Sequence, residues 1–433
     1  MRALLMATMM VRVAAGAPLA GGNLSLVDDL SRRAFLYFHE QTDPRTGLTL
    51  DRVPASGIGP PNGIASIADS GFALAAFCIG QEHHWISRAS AEQSAVRTLT
   101  FFVRKAPRKN GWFYHFMQAK TGERSANSEI SSIDTAFLLA GALTARACFQ
   151  DDPEIVSLAS ELFDEVDFPW MMNRSKVHFS QGWTPENGFM NAEWSSYSEL
   201  LILYVLGIGS LKHPISATTW EQWSISMESV GGYTYIGGGP LFIHQYPLAF
   251  LDLRYRFGQE SGFHANYLLN SILATRAQRQ GFQEKLAGRF HGYSEDVWGL
   301  TSSDSPMGYI DWGDSLSDTR IDGTVAPSAV AGSLMFTPDI CIPALRRMLE
   351  LYGKKAYGRY GFVDAFNPTD GWVSRDVVGI DAGITLLSAE NLRTGSVWRW
   401  FMSNPEPERA LDLVGLVDRR HPWKNYRIDP DYP

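Results

Sequence analysis

What most constrains this chain is a recurrence. Stretches with apolar residues at i, i+3 and i+4, or apolar all round, return about twelve times with little strand pattern between them. They predict helices over 26–42, 67–82, 88–105, 134–149, 153–166, 197–208, 215–229, 247–256, 266–282, 326–336, 338–352 and 381–402. Only short pieces such as "GWFYHFM" and "GGYTYIGG" alternate as strands do. A chain of this kind must bury helix against helix. A toroid of six helix pairs, an all-α (α/α)6 barrel, uses the elements economically, and a bundle or solenoid is the other arrangement open to it. With 433 residues, 45% of them hydrophobic, there is apolar material for a large core. No Pro/Ser-rich linker or shift in composition divides the chain, so residues 23–420 read as one domain followed by a tail, 421–433.

The net charge of −8 and the lack of a long basic run argue against nucleic acid or an anionic membrane as partner. Residues 1–22 read as a signal peptide, with a short apolar stretch interrupted by Arg12 and an A-x-A pattern at Ala15-Gly16-Ala17, implying a periplasmic or secreted protein. That stretch is too short to span a membrane, and no later run reaches the ~18 uninterrupted apolar residues required. Cys78, Cys148 and Cys341 lie in apolar surroundings without metal spacing and are expected to be buried free thiols. The 13 Trp are more telling. Many sit beside Gly in apparent loops ("NGWFYHF", "QGWTPENGF", "DVWGL"), which marks Trp112, Trp183 and Trp298 as flat apolar surfaces for a ligand such as a sugar ring.

The helix heads carry acids. "SSYSELLILYVLGIGS" puts Glu199 at the start of a run that must be buried, three residues after Ser196. "SSIDTAFLLAGAL" puts Asp134 three after Ser131, and "GIDAGITLLSAENL" puts Asp381 at an N-cap. One such acid is explained as a cap, because carboxylates favour helix N-termini and the S-x-x-E spacing fits a capping box. Three of them on buried helices also converge if the helix heads open on one cleft. Glu295, in "YSEDVWGLTSSD", repeats the local pattern of "YSELL" in a Gly/Ser/Trp loop where capping is less natural.

"YSELLILYVLGIGSLKHP", "YSEDVWGLTSSDSP", "YGFVDAFNP" and "VGIDAGITLLSAENLRTGSVWRWFM" together resemble the glucoamylase-like domain family, which includes bacterial β-1,2-glucanases, sophorose-releasing enzymes and the transglycosylating domain of cyclic β-1,2-glucan synthases. The resemblance runs from about residue 25 to 405 and implies an (α/α)6 barrel acting on β-glucan or gluco-oligosaccharide, with no metal or organic cofactor. It also implies roles. Glu199 matches the general acid, Asp381 the base of inverting members, and Glu295 the nucleophile of retaining, transferring members. Asp134, Glu129 and Asp364 are implied sugar-subsite residues, and Tyr293 of the "YSE" motif joins them. Where many members read G-S-P-T-H-P, this chain has Gly209-Ser210-Leu211-Lys212-His213-Pro214, so the loop after the Glu199 helix departs from the pattern.

Glycosidic cleavage needs one carboxyl to protonate the leaving oxygen while another activates water or attacks carbon. For Glu199 this sets a conflict. A helix N-terminus lowers a carboxyl pKa, whereas a general acid needs it raised. Asp134 as a neighbouring charge and Tyr197 as an aromatic wall are the candidates to reverse the effect, and His115 and His244 are candidate hydrogen-bond donors to sugar. An inverting β-1,2-glucan hydrolase, acting as a monomer, is the reading these residues favour. A retaining transglycosylase and a non-catalytic glycan-binding protein are the alternatives.

Overall fold

The computed structural model describes residues 21–57, 63–172, 176–237, 240–258, 266–312 and 315–418; the expected leader, beyond Gly21 and Gly22, and the tail from 421 lie outside these residues. The helices are α1 (Gly21–Gln41), α2 (Ile67–Glu82), α3 (Arg88–Arg104), α4 (Ser132–Cys148), α5 (Pro153–Asp164), α6 (Phe168–Met171), α7 (Leu200–Gly209), α8 (Phe242–Phe250), α9 (Tyr267–Gly281), α10 (Pro327–Ala331), α11 (Pro338–Ala356), α12 (Gly379–Arg393), α13 (Ser396–Met402) and α14 (Pro405–Leu413). Among the described residues no sheet exceeds three strands, and no helix is long and apolar enough to cross a membrane.

Four expected helices differ, one of them 326–336, of which only Pro327–Ala331 is helical. The stretch 215–229 is a 3-10 turn, Ala217–Glu221, followed by a strand, Ser226–Val230, that pairs with Tyr233–Gly237. The hairpin closes at Gly231 and Gly232, with φ of 58° and 81°, a conformation glycine adopts freely and that suits the twist of paired strands. The continuous helix expected over 381–402 breaks at Gly395 (φ 65°) into α12 and α13. α8 starts five residues earlier than 247–256 suggests and holds Pro247 inside it rather than at its head.

Close backbone approach packs α2 against α4. A Cβ on Gly141 would lie 2.0 Å from the Gly71 carbonyl oxygen, so the two helices touch main chain to main chain. Both begin with the same device: Ser66 and Ser131 are N-caps whose hydroxyls accept from the N–H of Asp69 and Asp134. Short strands then lace the helix heads. Ile64–Ser66 pairs with Thr49–Leu50 and with Phe116–Gln118, and Arg52–Pro54 pairs with Asp376–Val378 just ahead of α12. The Ile67 N–H donates to the His115 carbonyl, and the Gly379 N–H to that of Asp51. The first turns of α2 and α12 are thereby tied to these strands, and α7, buried throughout, packs against α4 and α14.

Candidate active site

The chain places an acid-rich cavity where these helix heads meet. It has a volume of about 210 Å³, with His115, Asp134 and Glu199 as its charged lining and Phe72, Phe137, Phe242, Tyr246 and Tyr309 as aromatic walls.

Glu199 is not the capping residue its spacing from Ser196 suggested. The helix begins at Leu200, which leaves Glu199 itself in the N-cap position with no side-chain capping bond. The Leu200 N–H is met instead by the Ser198 hydroxyl at 3.4 Å. The half-buried Glu199 carboxyl therefore turns into the cavity. Burial first, then the charges of Asp134 and Asp311, raise its pKa to about 8, against the opposing pull of His115. The conflict posed by the helix terminus is settled by that surrounding, with Asp134 contributing as expected. Tyr197 contributes nothing to it: its hydroxyl turns away and pairs with His244 Nδ1 at 3.1 Å in the core.

His115 lies between two carboxylates, with Nδ1 3.0 Å from Glu129 and Nε2 3.5 Å from Asp134. Burial disfavours its charge, but Asp134, Glu129 and Asp51 together outweigh that and raise it to about 9, so it is an imidazolium at neutral pH. In turn it holds Glu129 below the usual carboxylate range even though burial pushes upward. A histidine and two carboxylates are also a set of metal-ligand types. Here the imidazole points both nitrogens at the two carboxylates, which makes the trio an internal ion pair rather than an open ligand set.

Asp381, at the head of α12, is buried and borders a smaller cavity of about 20 Å³ beside Ser328, while its neighbour Ile380 lines the larger one. Tyr246 lines the larger cavity. Burial, Asp381, Tyr309 and Glu199 all oppose ionisation of its phenol, which places it within the field of both candidate catalysts. Burial raises the pKa of Asp381, and the Asp364 carboxyl, the Ser328 hydroxyl and Arg52 act in the opposite direction. Asp364 is 2% exposed and accepts the Asp304 N–H at 2.6 Å. Arg52 neutralises part of this cluster through Asp51 at 3.3 Å and Asp304 at 3.2 Å.

Several expected site residues are placed elsewhere. Glu295 does not line the cavity; its side chain is 69% exposed and ion-paired with Arg279 at 2.5 Å. Trp112 and Trp298 are fully buried rather than open platforms. The glycine beside each permits close packing: a Cβ on Gly111 would lie 2.2 Å from the Glu165 carbonyl oxygen, and one on Gly299 2.9 Å from that of Ala326. Trp112 donates to the Asp167 carbonyl at 2.9 Å, and the buried Tyr293 to that of Thr324 at 2.8 Å. His244 is buried and held neutral, its pKa lowered to about 3 by desolvation. Trp183 is half-buried against Trp170, on the strand that pairs with Ile130 next to Glu129.

Sequence reasoning missed Asp69, Asp51, Arg52 and the walls Tyr246 and Tyr309. Asp69 carried a signal, since "SIAD" has the same S-x-x-D spacing as "SSID". It is wholly buried with neither carboxyl oxygen hydrogen-bonded, and burial, then Asp51, Asp134 and Asp381, push its pKa well above the usual carboxylate range. No local pattern marks the others, because they come to the site by tertiary packing.

Residues 191–405 match the model of the family Glycoamylase, described as "Putative glucoamylase". The chain is 28% identical to an exo β-1,2-glucooligosaccharide sophorohydrolase (non-reducing end) of Parabacteroides distasonis, across 90% of this chain and 58% of that protein, so it spans under two thirds of that relative's length. Its fold is similar to an endo-β-1,2-glucanase of Chitinophaga pinensis solved with sophorotriose and glucose, at a TM-score of 0.83 and 27% identity over 92% of this chain and 99% of the other. A β-1,2-glucanase structure from Parabacteroides distasonis matches at a TM-score of 0.83 and 26% identity, covering 93% of this chain and 61% of that one. Residues 191–405 thus match the glucoamylase-like family's model, and nearly the whole length is similar in sequence and fold to proteins named for β-1,2-glucan.

Proposed function

We propose that this chain is a glycoside hydrolase that cleaves β-1,2-linked glucan or its oligosaccharides by inversion, on an (α/α)6 barrel whose helix heads form the substrate cleft. The observation that carries the reading is Glu199: a carboxyl at a helix head, free of any capping bond, held protonated at neutral pH beside Asp134 in an aromatic-walled cavity. A protonated carboxyl there is equipped to deliver a proton to the leaving oxygen, directly or through a sugar hydroxyl or water. Asp381 is the partner. Its anion is favoured by Arg52, Ser328 and the Asp364 carboxyl, and in the ionised form it takes a proton from the attacking water. The partly exposed rings of Phe242 and Tyr309 suit the apolar faces of pyranose rings, and Asp134 and His115 suit their hydroxyls. The substrate class rests on the names of the similar proteins. We further place the protein outside the cytoplasm, on the short apolar stretch that carries Ala15-Gly16-Ala17.

The test is product analysis by mass and NMR with linear β-1,2-glucan and short β-1,2-gluco-oligosaccharides. Inverted anomers in the first product are expected. Retained anomers would replace inversion by a covalent mechanism, and binding without turnover would reduce the chain to a glycan-binding protein.

A further inference from the structure

Asp364 presents two oxygens with different fates. Oδ2 accepts the main-chain N–H of Asp304 at 2.6 Å. Oδ1 is buried without a donor, and so is Oδ2 of Asp381. The Asp381 charge opposes ionisation of Asp364, so two bare carboxylates would repel each other here, where desolvation makes charge expensive. A single proton on Asp364 removes both problems, because its O–H then donates to Asp381. From this geometry we infer that Asp364 is a positioning residue rather than a sugar-binding one: a neutral carboxylic acid that donates a hydrogen bond to the Asp381 carboxylate and aims it for catalysis.

The fold is arranged to keep that proton on Asp364. The strand pair Ser303–Ser305 with Gly308–Ile310 supplies the Asp304 N–H, and its placement is fixed by three contacts. The Asp304 carboxylate accepts from Arg52 at 3.2 Å and from the Ser374 hydroxyl at 2.9 Å, and Arg52 also lies 5.9 Å from the centre of the Tyr309 ring. The charges facing the pair agree with the assignment. Asp381 and Asp304 both disfavour a second anion at Asp364, Arg52 favours the one at Asp381, and burial pushes the pKa of Asp69 well up. Tyr246 and Tyr309, the phenols nearby, stay neutral.

The inference rests on Asp381 as the base and is separable from it. Asp364→Asn is the faithful mimic, since the amide oxygen accepts the Asp304 N–H while the NH₂ donates to Asp381. It is expected to keep kcat within about tenfold of wild type, with the low-pH limb of the rate profile in place. Asp364→Ala removes the donor, so the desolvated Asp381 anion loses a charge-assisted hydrogen bond and the limb moves up by about one to two pH units. kcat at pH 6 then falls far more than KM rises. The infrared band of a buried protonated carboxyl, seen in the difference between wild type and Asp364→Asn, gives a readout independent of turnover. Equal losses in the two variants without a shifted limb, or absence of that band, overturn the inference. If Asp381→Asn keeps its turnover, the assignment of the base fails first; if it is inactive while both Asp364 variants match wild type, only the present inference fails.

Discussion

Glu199→Gln separates a catalytic acid from a structural cap by the sign of its effect on stability. The Glu199 carboxyl titrates near 8 in the folded chain against 4.5 for the free group. The folded state therefore holds a proton that the unfolded state releases as pH rises above 4.5, and stability is lost progressively from there until the folded group itself ionises, near 8. Counted in full, that difference costs about 3 kcal/mol at pH 7. Water reaching the half-buried carboxyl from the cavity screens it, so about 1–3 kcal/mol is the working figure. Glutamine has the shape and no charge to bury. Glu199→Gln is therefore expected to be more stable than wild type at pH 7–8, by about 1–3 °C in Tm for a chain of this size, and to match it near pH 4.5. Loss of a cap predicts the opposite, a drop of about 0.5–2 kcal/mol at every pH. Turnover on β-1,2-glucan should fall by about 10²–10⁴ in the same variant. Thermal melts and denaturant titrations from pH 4.5 to 8.5, with initial rates on the same preparations, decide the matter. A variant less stable than wild type at pH 7, or one that keeps most of its activity, refutes the reasoning.

Asp381→Asn is expected to melt at or above the wild-type temperature and to lose about 10²–10⁴ in kcat with intact substrate binding, checked by calorimetry and steady-state kinetics. The wild-type pH–rate profile should be bell-shaped: it rises as Asp381, whose pKa lies above its ordinary value, ionises, and falls through about pH 8 as Glu199 deprotonates, and the upper limb should vanish in Glu199→Gln. Glu295→Gln removes one exposed ion pair with Arg279 and should change stability by less than about 1 kcal/mol and leave the product anomer unaltered. A severe kinetic loss with retained anomers would instead restore Glu295 as a nucleophile. Trp112→Ala should cost about 3–5 kcal/mol by denaturant melts, because it empties a buried site rather than a sugar platform.

The helices of this chain are local events, and the sequence by itself determined most of them. Apolar spacing marks α2, α4, α5 and α9 because a helix shows its buried face in its own period, and the Ser131–Asp134 head was readable because a cap is a contact over three residues. The candidate acids Glu199 and Asp381 were legible for the same reason, each standing at the head of a run too apolar to be anything but buried. What sequence spacing cannot carry is direction. Ser196 and Glu199 have the spacing of a capping box, yet the helix starts one residue after Glu199 and sends its carboxyl to the cavity. Trp112 and Trp298 sit beside glycine as loop tryptophans do, yet those glycines let main chain close in and draw the indoles inside. The pairing of Asp364 with Asp381, the Arg52 contacts to Asp51 and Asp304, and the convergence of Tyr246 with Glu199 join residues far apart along the chain. Only tertiary packing decides such meetings, because burial and neighbouring charge, which make an acid of one carboxyl and a base of another, are properties of the folded surroundings and not of the residue.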